Sequence, residues 1–479
     1  MVQKLANIPR LVISAPQGQS GKTTITIGLI GALVARGFYV QPFKKGPDFI
    51  DPSWLSLVAG RSCRNLDCFF MDNDTLVGSF VQAAAGAHVA VIEGAMGLYD
   101  GIDLYGSGST AQIAKIVRAP VLLVVDCRRM TRSVAAIVRG FKDFDPDLNV
   151  AGVILNNVAR SRHQKMLTMA IEEYCGLPVL GCIPKYSGLV IPNRHLGLIP
   201  AVENENLQAV IDSIVAVARE NLDLDRIMYL ARQAPSLMIP GNMNSDRLSK
   251  KECTTIGVIR DRSFTFYYPE NLECLERAGA KLVYIDALEA TTLPDLDGLF
   301  IGGGFPEIFA SQLADNRLLR HSIAERIEQG LPVYAECGGL MYLGRSIIKE
   351  ERSYPMVGVL PFDVTMEAKP QGHGYTLMQV VRQNPFFSVN TTVKGHEFHN
   401  SRIVNLDQTQ VKFAFKVQRG HGIDGEWDGI IYKNLLASYN HIHALGVKGW
   451  AENFVAAATN YAQTKEVYGK KSRAVREVM

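Results

Sequence analysis

Short apolar runs recur along the first half of the chain, at residues 11–13, 39–43, 89–92, 120–125, 150–155 and 178–183. They are rich in β-branched residues and stand a helix-length apart. Strands buried on both faces read this way, as continuous apolar runs rather than alternations. In the first intervening segment Ile25, Leu29 and Leu33 recur at a spacing of four, so they share one helical face, and Arg36-Gly37 ends the helix. The pattern predicts an α/β domain with a doubly wound parallel sheet and ligands at the C-terminal ends of its strands. Residues 235–252, PSLMIPGNMNSDRLSKKE, break the pattern and read as an exposed linker. A second α/β pattern follows, with apolar runs at 255–259, 283–285, 299–301 and 331–336. The expected organisation is a first domain over 1–235, a linker over 236–252, a second domain over 253–465 and a polar, basic tail over 466–479.

Composition narrows the class. A chain of 479 residues suits two or three domains, and 47% hydrophobic with 20% charged residues is ordinary for a globular protein. A net charge of +3 gives no reason to invoke nucleic acid or a membrane surface. The N-terminus does not read as a signal peptide, and no apolar run approaches the ~20 residues of a membrane span. The eight cysteines are scattered without Cys-x-x-Cys spacing, which supports neither a disulfide framework nor a zinc site. The cytoplasm is the expected compartment.

The first apolar run leads into Ser14-Ala15-Pro16-Gln17-Gly18-Gln19-Ser20-Gly21-Lys22-Thr23-Thr24. A strand, a loop with Gly18, Ser20 and Gly21, and a helix opening at Lys22-Thr23-Thr24 describe a phosphate-binding loop. Lys22 can reach the outer phosphates of a nucleotide, and the Thr23 hydroxyl can hold Mg2+. One departure is Pro16, where the usual pattern has Gly. The second run enters Lys44-Lys45-Gly46-Pro47-Asp48-Phe49-Ile50-Asp51-Pro52, whose carboxylates suit a metal and substrate loop or, equally, a solvated turn. Glu93 at the end of the third run is placed to complete an Mg2+ shell, and Asp100 lies further along its loop. Asn156-Asn157 ends another run and suits either a base edge or a helix cap.

In the second half, Cys337 stands between a strand and a helix with Gly338-Gly339 beyond it. Such a turn lifts a nucleophile clear of the sheet, and the helix N-terminus favours a thiolate. Gly302-Gly303-Gly304 ends a neighbouring strand, and the N–H groups of Gly303 and Gly304 suit an oxyanion. A buried structural Cys is the plain alternative. His441, in Ser438-Tyr439-Asn440-His441-Ile442-His443, is the candidate base.

The segments Gly46-Pro47-Asp48-Phe49-Ile50-Asp51-Pro52, Glu93-Gly94-Ala95-Met96-Gly97-Leu98-Tyr99-Asp100-Gly101 and Arg194-His195-Leu196-Gly197-Leu198 resemble the cobyrinic acid a,c-diamide synthase family. The ATP half of that family is similar to dethiobiotin synthetase. The order of Gly loop, Cys elbow and late His resembles triad-type glutamine amidotransferases. The resemblance implies that Thr23, Asp48 and Glu93 hold Mg2+, that Asp51 and Asp100 act around the carboxylate being activated, and that Asn156 approaches adenine. It favours His441 over His443 as the base. The acid usual two residues after that His is here His443, so what orients His441 is left open. The implied activity is ATP- and glutamine-dependent amidation of tetrapyrrole carboxylates, with small molecules as the only partners; a homodimer is left open. Sirohaem and nickel-sirohydrochlorin are alternative acceptors, and a partitioning-type P-loop ATPase is the competing class.

Three further expectations concern packing. Phe49, Ile50, Trp54 and Leu98 are expected to offer apolar faces to the macrocycle or else to pack the loops. The segment around Tyr267-Tyr268-Pro269-Glu270 is expected to open a helix against the domain interface. Residues 395–402, GHEFHNSR, read on their own as a solvated loop.

Overall fold

A computed structural model describes residues 4–185, 193–194, 197–198, 207–241 and 254–478. His195 and Leu196 of the third family segment lie outside the described residues. The chain divides into two compact units, Met1–Asn244 and Ser245–Met479.

The first unit is built on seven parallel strands: β1 (Arg10–Ser14), β2 (Val40–Lys45), β3 (Arg64–Leu66), β4 (Val89–Glu93), β5 (Val121–Asp126), β6 (Val150–Val158) and β7 (Val179–Pro184). Their order is β3-β2-β4-β1-β5-β6-β7, so β1 is central, with β4 and β5 beside it and β2 beyond β4. Because all seven run the same way, the loops leaving β1, β2 and β4 emerge at one edge of the sheet. Both β1 and β4 are buried at every position, which accounts for their unbroken apolar pattern. The second strand runs two residues past the apolar run that predicts it and carries Lys44 and Lys45 into the interior.

Arg10 opens β1 and is fully buried. Its guanidinium donates to the carbonyls of Ile8 (2.8 Å), Arg118 (3.3 Å), Val117 and Pro235. A buried cation without such acceptors would be costly. Close by, Leu5–Ala6 pairs antiparallel with Leu237–Met238, so both ends of the unit meet at the start of its central strand.

Trp54 and Leu98 expose no face to a macrocycle, so of the two expectations the packing one describes them. Both are fully buried. Trp54 lies on the helix Ile50–Ala59, in the core cluster with Leu29 and Leu33 of the helix Lys22–Ala35. Ile50 is also buried and Phe49 is half-buried. An apolar side chain on a helix's inward face is taken up by the core before it can serve a ligand. Trp54→Ala is therefore expected to lower the unfolding free energy by about 3–5 kcal/mol in a urea titration.

The second unit holds a ten-stranded sheet: β8 (Thr254–Ile259), β9 (Ala280–Ile285), β10 (Gly298–Ile301), β11 (Val333–Glu336), β12 (Gly372–Val380), β13 (Thr392–His399), β14 (Lys412–Arg419), β15 (Trp427–Tyr432), β16 (Leu435–Ser438) and β17 (His441–Ile442). The order is β9-β8-β10-β11-β16-β15-β14-β12-β13-β17, parallel through β16 and antiparallel beyond it. The final helix, Trp450–Val478, packs Trp450, Phe454 and Ala458 with Ile256, Val258 and Phe300 of the sheet.

One segment differs from its sequence reading, and one helix opens where the sequence places it. Residues 395–402 are not a solvated loop: they lie in β13 and Ser401–Val404, with His396, Glu397, His399, Asn400 and Ser401 buried. Glu397 accepts from the backbone N–H of His421 and of Gly422 (2.8 Å). Polar residues whose partners come from distant backbone look like a loop in sequence and pack as a strand. The helix Pro269–Ala278 turns Asn271 inward to its own unit, donating to Ile442 O (2.9 Å) and accepting from Ala444 N (2.7 Å). It therefore braces the His441 segment. Among the described residues no helix is long and apolar enough to cross a membrane.

Candidate active sites

At the P-loop, Gly21 holds φ +91° just before the helix Lys22–Ala35. A Cβ there would lie 2.3 Å from Asn156 Nδ2, so the position requires glycine for both backbone and space. Asn156 donates to Ser20 O (2.9 Å) from the end of β6 and accepts from Asn157 N (2.9 Å). It braces the loop rather than capping a helix. Ser20 donates to Gln17 O (3.0 Å). Gly18 has open space around it, and Thr24 sits half-buried in the first helical turn. Lys22 is buried and donates to Gln17 O (3.1 Å) and Met96 O (2.7 Å). Burial first, and then the neighbouring Lys44, lowers its ammonium to about 8.

Thr23 Oγ1 donates to Glu93 Oε1 (2.7 Å) and lies 3.4 Å from Asp51 Oδ2. The sequence reading passed over Lys44, which sits at the centre of this cluster. Its Nζ is 2.8 Å from Glu93 Oε1 and 3.6 Å from Asp48 Oδ2, and it is paired closely with Asp51. Burial pushes Asp51 up, but Lys44 outweighs it and holds the carboxyl below its usual range. The parallel register of β2 and β4 sets Lys44 directly opposite Glu93, a pairing that no single segment of sequence carries. Asp48 caps its own turn, accepting from Ile50 N (2.8 Å) and Asp51 N (3.3 Å). Asp100 is exposed and accepts from Gly97 N (2.8 Å), on a loop pressed so near the P-loop that a Cβ at Gly97 would meet Pro16 O at 2.6 Å.

The donor set suits a hard cation. Glu93 Oε2 is buried with no hydrogen-bond partner among the described residues, while its Oε1 accepts from Thr23 and pairs with Lys44. Among those residues no three His, Cys, Asp or Glu side chains form a protein-only metal cage. Mg2+ does not require one, since it keeps water and phosphate ligands beside one or two carboxylates.

In the second unit Cys337 sits at φ +48°, ψ −99°, a conformation that a non-glycine residue adopts only under constraint. Its N–H donates to Ser438 O (2.7 Å) on the adjacent β16. The following glycines are steric requirements: a Cβ at Gly339 would meet Ile301 O at 2.3 Å, and one at Gly338 would meet Gly304 N at 3.1 Å. A Cβ at Gly303 would lie 2.4 Å from His441 Cε1. Elbow, glycine loop and imidazole thus converge on one point. Cys337 is buried, and burial first, then Glu307, pushes its thiol well up, so a base is needed to ionise it.

His441 Nδ1 lies 3.4 Å from Glu336 Oε2, and the ring stacks on His396 with centroids 5.0 Å apart. Burial first, then His441, holds His396 far below its ordinary range, so it packs as a neutral ring. His443 turns elsewhere: its Nε2 is 3.6 Å from Glu270 Oε2 and its ring lies against Tyr268.

A parallel nucleotide-loop unit joined to a Cys–His elbow unit defines the class of two-domain, glutamine-dependent amidotransferases. Residues 11–198 match the CobQ/CobB/MinD/ParA nucleotide binding domain, and residues 255–448 match the CobB/CobQ-like glutamine amidotransferase domain. The chain is 47% identical to the cobyrinate a,c-diamide synthase of Magnetococcus marinus, over 93% of this chain and 96% of that one. It is 43% identical to that of Archaeoglobus fulgidus, over 94% and 98%. The chain belongs to the cobyrinate a,c-diamide synthase family.

Proposed function

We propose that the protein amidates carboxylates of cobyrinate, using glutamine as nitrogen donor and ATP to activate each carboxylate. One observation carries this reading: the Lys22–Thr23–Glu93 cluster and the Cys337–His441 elbow occur in one chain. Hydrolysing glutamine alone needs no nucleotide loop, and a partitioning-type ATPase needs no thiol. The names of the relatives supply the acceptor.

The glutamine chemistry belongs to residues 253–465. Cys337 attacks the side-chain amide of glutamine as His441 takes the thiol proton. The oxyanion is met by the N–H groups of Gly303 and Gly304. His441 returns the proton to the departing ammonia, and water then cleaves the thioester to glutamate. The ATP chemistry belongs to residues 1–235. Gly18, Ser20, Gly21 and Thr24 cradle the phosphates, and Asn156 sets the loop toward the adenine side. Lys22 steadies the charge on the γ-phosphate as the substrate carboxylate takes it. Mg2+, held by Thr23, Asp48 and Glu93, would neutralise phosphate charge during that transfer. Asp51 and Asp100 position the carboxylate and the incoming ammonia, which displaces phosphate and leaves the amide.

The test is incubation with ATP, glutamine and, in separate reactions, cobyrinate, nickel-sirohydrochlorin and sirohaem, followed by mass spectrometry. The expected product is the diamide of cobyrinate. Amidation confined to one of the other two acceptors would overturn the assignment.

A further inference from the structure

The position two residues beyond the base, where triad-type amidotransferases carry an acid, is His443 in this chain, and His443 faces Glu270. Among the described residues, four acids are buried in the second unit. Glu397 is taken by two backbone N–H groups, of His421 and Gly422. Asp428 accepts from Ser438, Gly429 and Tyr439. Glu270 faces His443. Glu336 Oε2 lies 3.4 Å from His441 Nδ1.

Glu336 is also held in place. Its Oε1 accepts from Tyr334 OH (3.1 Å) and from Ile442 N (3.1 Å). Tyr334 and Glu336 lie two residues apart on β11, so both side chains leave the same face of that strand. Ile442 directly follows the base. With Oε1 fixed twice, Oε2 is the oxygen turned to the imidazole. The stacked His396 closes one face of the ring and Gly303 lies close against it. Resting distances in such sites are often long and shorten once charge develops.

We propose that Glu336, the residue immediately before the nucleophile, is the positioning acid of the glutamine site and replaces the acid usually found after the base. Glu336 exchanges no proton. Its carboxylate fixes the His441 tautomer with hydrogen on Nδ1, leaves Nε2 free to take the Cys337 proton, and faces the imidazolium that results. The inference rests on reading Cys337 and His441 as the glutamine-hydrolysing pair.

The experiment compares glutamine hydrolysis and ammonia-driven amidation in the full chain. Glu336→Gln is expected to lower the kcat of glutamine hydrolysis by about 10²–10⁴-fold, the scale of losing an orienting carboxylate. The KM for glutamine should stay within about threefold, because the interaction is made with the base and not the substrate. Glu336→Gln combined with His441→Ala should be no slower than His441→Ala alone, as residues acting as one unit are not additive. Tyr334→Phe, which removes one of the two donors holding Oε1, should cost about tenfold in kcat. Glu270→Gln should cost less than about threefold. A Glu336→Gln enzyme with near wild-type kcat, or multiplied losses in the double variant, would overturn the proposal. If Glu336→Gln does not fold, an unchanged kcat in Tyr334→Phe would overturn it. Glutamine-driven activity surviving in Cys337→Ala would instead break the underlying reading.

Discussion

Cys337→Ala is expected to abolish glutamine-driven amidation, by at least about 10⁴-fold, and to leave ammonia-driven amidation within a few fold of wild type. In the proposed mechanism the thiol is the group that forms the bond to glutamine. The strained backbone at Cys337 accepts alanine with no change in the glycines that follow, so the fold of the elbow should persist. The P-loop and its acids belong to the other compact unit. Steady-state rates with glutamine and with ammonium chloride, on the same preparation, decide the matter. Loss of both activities in a folded variant would show that the thiol also serves the ATP reaction.

Glu93→Gln has the second large effect. Both nitrogen sources should fail together, with amidation reduced by about 10²–10³-fold. Glu93 is fully buried, accepts from Thr23 and pairs with Lys44. An amide of the same shape removes a carboxylate paired with Lys44 and offers a donor where Thr23, and the proposed Mg2+, require an acceptor. The comparison is kcat for ammonia-driven amidation against kcat for glutamine hydrolysis, which should fall far less. Near wild-type amidation would remove Glu93 from the metal and phosphate site.

Local chemistry was more legible than partnership. The P-loop, the strand tips and the Cys elbow could be read because each is written in consecutive residues: a buried apolar run, then glycine, then the reactive group. Lys44 was not read because its meaning depends on the residue across the sheet, and register is not a property of one segment. Glu336 was passed over for the same reason. It sits inside an apolar strand, and its relation to His441 spans 105 positions. Trp54 misled in the opposite direction. Its position beside the carboxylate loop suggested a substrate wall, whereas the helix that carries it turns that face to the core. Residues 395–402 looked soluble because histidine, glutamate and asparagine are usually surface residues; here buried backbone N–H groups satisfy Glu397.

Arg10 has a consequence for how the chain is made. Its buried guanidinium reaches the carbonyl of Pro235, a residue synthesised 225 positions later. On a ribosome the central strand of the first unit therefore emerges long before the last acceptor for its own side chain. Until Pro235 arrives, the guanidinium has the carbonyls of Ile8, Val117 and Arg118 and lacks its fourth acceptor, which makes closing the sheet around it costlier. The last acceptor for the buried charge of the central strand thus lies in the segment that leads into the glutamine half.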